Sequence, residues 1–287
     1  MTYLLLSILL TSSLAFFFKL FEKFKVNIFQ ALVFNYATAA TIGLCTASSS
    51  IGDNLHATWF PVSLVLGLLF ITIFYCISRS TLVTGVSATI VANKMSVIIP
   101  VLLAFYLYND IITTKKILGI GLALIAVYLT ARKKETDETK SNAQVFLLPV
   151  IVFIGSGIID ALVNFAQVNL LKGQNNELFL AIAFGAACVA GLIILILQLI
   201  TKKITIELKS VIGGICLGIP NFFSIHYLIK ALDSGVFEST VFFPVNNMGV
   251  VIVSAVAAFV FFREKLSAVN LLGIACALAS IALISVK

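Results

Sequence analysis

The chain has 287 residues, 61% of them hydrophobic and 11% charged, with a formal net charge of +7. A soluble domain carries about 25% charged and 45–50% apolar residues, so an ordinary water-soluble fold is excluded and a membrane protein is expected. The basic residues lie scattered in short stretches, without a basic stripe or a binding motif, so the positive balance does not indicate a nucleic-acid binder.

A spanning helix needs about 20 apolar residues. Ten segments qualify: roughly 2–18, 26–46, 60–79, 85–108, 115–131, 145–168, 178–200, 210–230, 235–262 and 267–286. The first has the apolar run of a signal peptide, but no Lys or Arg precedes it, so a retained helix is expected. The second carries Asn35 and Thr38, read as packing residues. "TASSSIGDNLHATW" follows without Lys or Arg, and Trp59 reads as an anchor at the membrane interface. The fourth segment holds "ANKM", with Asn93 and Lys94 amid apolar residues. After the fifth comes the longest polar stretch, "ARKKETDETKSNAQ". It divides the chain into units 1–134 and 145–287 with a linker at 135–144. In the sixth segment Ser156, Asp160, Asn164 and Gln167 share one helical face. The eighth reads "GGICLGIPNFFSIHY" and the ninth "FFPVNNMGVV". Cys45, Cys76, Cys188, Cys216 and Cys276 lie apart in apolar runs and read as small packing residues, with no metal-binding spacing.

The two halves match each other in order. "NIFQALVFNYATAA" aligns with "ELFLAIAFGAACVA", "TLVTGV" with "ALDSGV", "NKM" with "NNM", and "LGIGLAL" with "LGIACAL". Duplication of a five-helix unit is expected, and an odd helix number makes the second unit enter the membrane from the opposite face. The expected fold is therefore an all-α integral membrane protein with ten transmembrane helices as two inverted five-helix repeats. Such repeats recur in secondary transporters, with the substrate site near the midplane. Orientation follows loop Lys and Arg: thirteen fall on the side opposite the termini and five on the terminal side. Positive residues favour the cytoplasm, so both termini are expected outside.

The ten-span pattern, the duplicated unit and the ends of segments four and nine resemble the drug/metabolite transporter superfamily, its EamA-type branch above all. The resemblance covers nearly the whole chain. That family has a Gly-Glu turn between its fourth and fifth helices. Here "YLYNDIITTKKILGIGLAL" puts Asp110 at the acidic position and "FFREKLSAVNLLGIACAL" puts Glu264 there, while Asn109 and Arg263 replace the glycines. The resemblance implies a ten-helix bundle with a central cavity and export or exchange of small metabolites. It also implies cytoplasmic termini, opposite to the charge count.

A lysine at the centre of a membrane helix costs about 2.5–3.5 kcal/mol, so Lys94 should face a wet cavity or an acidic partner. Asp160 is the obvious partner; substrate is the other reading. Asn246 and Asn247 match the Asn93–Lys94 pair, and with Asn164 and Asn221 they offer amides that donate and accept. Pro220 is expected to kink the eighth helix, although close packing around Gly213, Gly214 and Gly218 explains that stretch equally well. His226 is a relay or a packing residue, and Asp160 doubles as a coupling group.

The leading expectation is a secondary transporter, an exporter or exchanger of a small polar metabolite such as an amino acid or organic acid, working by alternating access in a cell membrane. Its site would comprise Asn93, Lys94, Asp160, Asn164, Asn221, Asn246 and Asn247, with Asp160, His226 and Pro220 in coupling or gating. The expected partners are the substrate and the lipid bilayer, in a monomer or homodimer. No cofactor, metal or catalytic set is expected. An integral membrane enzyme acting on lipid-linked substrates would need clustered His, Asp or Arg at one face; a channel or scaffold is the remaining alternative.

Overall fold

A chain in hydrocarbon must satisfy its backbone internally, and a helix does so within one segment. The computed structural model describes residues 2–99, 114–131, 142–171, 176–202, 205–233, 239–262 and 267–285, and among these no strand occurs. Among the described residues ten longer helices follow in order: α1 Thr2–Lys23, α2 Ile28–Thr46, α3 Phe60–Thr84, α4 Val86–Met95, α5 Thr114–Ala131, α6 Asn142–Phe165, α7 Asn176–Lys202, α8 Leu208–Asp233, α9 Ser239–Phe262 and α10 Ala268–Ser285. A single helical turn, Ile51–Asn54, sits between α2 and α3, and its Asp53 N–H donates to the Ser50 hydroxyl. Among the described residues, six helices are long and apolar enough to cross a membrane: α1, α2, α3, α6, α7 and α8. Shorter apolar helices lie within α5, α9 and α10. The molecule is thus all-helical, with the apolar spans of a multi-pass membrane protein.

Several boundaries differ from the sequence reading. α1 runs on to Lys23, because Phe18 and Phe21 are buried and Lys19 pairs with Glu22 at 3.6 Å. α3 continues past residue 79 to Thr84 and stops at Gly85, whose φ of 102° and ψ of 165° suit essentially only glycine. α6 begins inside the expected linker; residues 132–141 lie outside the described ones. α8 runs through Pro220 as one continuous helix. A membrane helix tolerates proline where its neighbours support the freed backbone. Trp59 is not an interface anchor: it is 4% exposed and packs edge-on against Phe179. The fourth span, expected as one helix over 85–108, is broken at Ser96. Pro100 has no N–H to offer the Ser96 carbonyl, which accepts from the Ile99 N–H at 2.9 Å instead. Residues 100–113 and 263–266, with Asn109, Asp110, Arg263 and Glu264, lie outside the described residues.

α2 packs against α7 and α8, α3 against α6 and α7, and α1 against α8 and α9. α5 packs along α10. α4 lies innermost, touching α1, α3, α5, α6, α9 and α10. Small residues set the closest approaches, as in many membrane bundles. A Cβ on Gly214 would stand 2.4 Å from the Ala31 carbonyl oxygen, and one on Gly67 would stand 2.5 Å from that of Ala183. The glycines of α8 therefore serve packing.

Gly214→Ala is expected to destabilise by about 1–3 kcal/mol, because its methyl meets backbone that cannot yield cheaply. Gly185→Ala, with nothing within 4 Å of its new Cβ, is the tolerated control. Gly85→Ala should cost about 1–3 kcal/mol through backbone strain. Thermal melts in detergent read all three; equal melting points for Gly214→Ala and Gly185→Ala would contradict the packing argument.

Candidate functional site

α4 is enclosed by other helices, and nearly all of it is buried. Residues 86–92, 95 and 96 are buried, and only Asn93 and Lys94 keep partly open surface in that stretch. The two side chains therefore face an opening in the packing. Lys94 stands in the last turn of α4, where the negative end of the helix dipole favours a cation.

α6 supplies the opposite wall. The Asn93 amide nitrogen donates to the Ser156 hydroxyl at 2.8 Å. One turn on, the Ser96 hydroxyl donates to an Asp160 carboxylate oxygen at 3.3 Å, sharing its proton with the Asn93 carbonyl. At about 100° per residue, Ile154, Ile158 and Phe165 form one exposed apolar face of α6, with Ser156 and Asp160 on the opposite side. Asp160 is itself exposed, although protein surrounds it. Its open surface therefore points inward, towards α4.

Lys94 and Asp160 lie close enough for their charges to act on each other. Yet they do not form a contact ion pair: the ion pairs within 4.0 Å among the described residues are Lys19–Glu22 and Lys209–Glu207. The anticipated partnership is one of proximity, with room between the charges. Past Asp160, α6 loosens into a π-helical turn, Ala166–Leu171, a distortion frequent at functional sites.

The remaining expected residues divide. Asn164 lies one turn beyond Asp160 on α6, but its side chain and that of Gln167 are outside the described ones. Asn247 is partly open, on the helix that packs against α4. Its neighbour Asn246 is 4% exposed, and its amide oxygen has no hydrogen-bond partner. Asn221 is elsewhere. It donates to the Asn35 amide oxygen at 3.2 Å in the α2–α8 seam, where both are buried. Ser224 donates to the Asn221 carbonyl and Ser7 to the Ser224 carbonyl, tying α1 into the same network. Pro220, beside Asn221, is buried in this helix. His226 stacks on Phe222 with ring centroids 5.7 Å apart and meets Phe223 and Tyr227, and the charges acting on it are those of Lys230 and Glu177. The structure does not bring His226 to the Lys94–Asp160 opening.

Sequence reasoning missed Ser96, which turns the α4 end towards Asp160. Its signal was present: a serine four residues before Pro100, at a point where a helix must lose a bond. One cation, one carboxylate, amides and hydroxyls around a shared opening can grip polar groups of either charge. Among the described residues no group of three His, Cys, Asp or Glu could hold a metal ion.

The inward opening predicts labelling. With the five native cysteines replaced, Asp160→Cys should react with a charged methanethiosulfonate reagent, and Ile158→Cys on the outer face should not. A silent Asp160→Cys would show that water does not reach this face.

No family model matches the chain. A crystal structure of a protein shares the fold over 99% of this chain and 95% of its own, with a TM-score of 0.60 at 13% identity. An uncharacterized protein of Haemophilus influenzae is 31% identical over 286 residues, covering 97% of this chain and 95% of that one. At that identity and coverage, the chain belongs to the same family as this Haemophilus influenzae protein.

Proposed function

We propose that the protein is a secondary transporter of a small polar metabolite, an amino acid or organic acid, working by alternating access as an EamA-type member of the drug/metabolite transporter superfamily. The observation that carries the reading is the pairing of openings. Asn93 and Lys94 are the only partly open residues in an otherwise buried stretch of α4, and Asp160 opens towards them from the inner face of α6. Unpaired charge deep in a membrane bundle is costly and is kept where it handles a polar solute. Lys94 is assigned to a substrate carboxylate or phosphate. Asp160, Asn93 and the Asn246–Asn247 pair are assigned to its remaining polar groups.

Helix packing supports the two-repeat reading. Exchanging each of α1–α5 with the helix five places later turns the α1–α8 contact into α6–α3, and α2–α8 into α7–α3. It turns α1–α9 into α6–α4, and α4–α5 into α9–α10, while α2–α7, α4–α9 and α5–α10 map onto themselves. Each of these pairs is in contact. A pseudo-twofold relation of inverted repeats has this pattern, and α4 and α9 meet on its axis. The halves differ chemically: Ser96 meets Asp160, whereas Gly249, at the matched position, meets Ile8 of α1. On this reading the site lies in the α4–α6 half. Asn221 and Asn35 then act as structural residues, and Pro220 and His226 stand apart from the substrate.

The test is flux of labelled amino acids and organic acids into proteoliposomes, under imposed gradients and with counter-substrate inside. Lys94→Met should reduce flux roughly 10- to 100-fold while the purified variant still folds, since a charge-assisted contact contributes about 1.5–3 kcal/mol. Full activity of Lys94→Met would remove the lysine from the site. No flux of any solute would sink the transport reading.

A further inference from the structure

Lys94 and Asp160 are held near each other without meeting. The Asn93–Ser156 bond of 2.8 Å and the Ser96–Asp160 bond of 3.3 Å tie α4 to α6 beside both charges. Each charged group is short of partners. The Lys94 ammonium has three N–H donors, and none of them bonds to a described residue. A carboxylate accepts at about four lone-pair sites. Among the described residues Asp160 receives one proton, the one that Ser96 shares with the Asn93 carbonyl. A further acceptor stands on α9, which packs against α4. There Asn246 is 4% exposed and its amide oxygen has no partner among the described residues.

The charge balance narrows what can enter. Among the described residues, the charge acting on Lys94 is that of Asp160, and the charge acting on Asp160 is that of Lys94. The opening is therefore neutral overall with both groups ionised. A carboxylic acid anion entering alone would pair with Lys94 and leave Asp160 uncompensated. A free amine would pair with Asp160 and leave Lys94 uncompensated. Either leaves one net charge inside an apolar bundle, where charge is costly. A solute that carries both charges leaves none. Asp160 and the Asn246 amide oxygen are acceptors, so the cationic end of that solute must bring N–H donors; a quaternary ammonium has none.

On the transport reading, on which this rests, we propose that the substrate is a zwitterion with a free ammonium, an α-amino acid rather than an organic acid or a phosphate. Its carboxylate meets Lys94. Its ammonium, on the neighbouring carbon, meets Asp160. The substrate thus completes an ion pair that the protein holds open, and it enters without a change in the net charge of the site. An organic acid would need a proton on Asp160 to reach the same neutrality.

Melting-temperature shifts screen the common α-amino acids on the purified full-length protein in detergent. Calorimetric titration then compares each one that binds with its 2-hydroxy acid, which lacks the ammonium, and its methyl ester, which lacks the carboxylate. The amino acid should bind at least about tenfold more tightly than either analogue, the worth of one charge-assisted contact. Asp160→Asn should weaken the amino acid by about tenfold or more and strengthen the hydroxy acid, a divergence that a merely structural role would not produce. A hydroxy acid that binds as tightly as its amino acid would overturn the proposal, as would a screen in which no amino acid binds. If Asp160→Asn fails to fold, the analogue comparison on the wild-type chain decides. Flux of organic acids without amino-acid binding would remove the zwitterion and spare the transport reading. Amino-acid binding without flux of any solute would do the reverse.

Discussion

The side chain of Lys94 has to be hydrated or contacted inside a bundle that is mostly apolar. Around it the chain makes a consistent set of concessions. α4 is enclosed by six other helices, so its one cation cannot reach the lipid surface. The helix ends directly after Lys94, which places the charge at a favourable dipole end. The opposite wall turns a carboxylate inward. These features depend on one another: an unbroken apolar helix at this place would leave Asp160 facing hydrocarbon.

Polar groups in the bundle fall into two kinds. Asn35, Asn221, Ser224 and Ser7 are linked in a chain of hydrogen bonds that joins α1, α2 and α8. Glycines in the same seam bring the backbones within contact. Such groups hold helices together in a solvent that supplies no hydrophobic drive for association. The second kind keeps open surface: Asn93, Lys94, Asp160 and Asn247. Burial separates the two kinds, although asparagines in apolar helices occur in both.

The breaks in α4 matter as much as its packing. Gly85 at one end and the Ser96 turn at the other isolate a short helix that carries the central charge. A short segment bounded by two turns can shift as a unit with less backbone rearrangement than a continuous span. A contact between the Ser80 and Thr89 hydroxyls joins α3 to α4 at the first end, and the Ser96–Asp160 bond joins α4 to α6 at the second.

Much of this was legible in the residue order. Hydropathy located the helical segments because each span must satisfy its own backbone in lipid, and that requirement is local. The stripe Ser156–Asp160–Asn164 and the misplaced Lys94 were visible because helical periodicity and the cost of charge are also properties of one segment. What the order of residues could not decide was which polar residues meet. Asn221 and Asn247 look alike in sequence, yet one is bonded shut against Asn35 and the other is partly open beside α4. Trp59 was misjudged because burial against Phe179 depends on a helix far along the chain. The sequence by itself determined the helices, their apolar surfaces and the presence of a charge that needed a partner. Only the tertiary structure decided that Lys94 and Asp160 share an opening without pairing, because that separation depends on how α4 and α6 are held by their other neighbours.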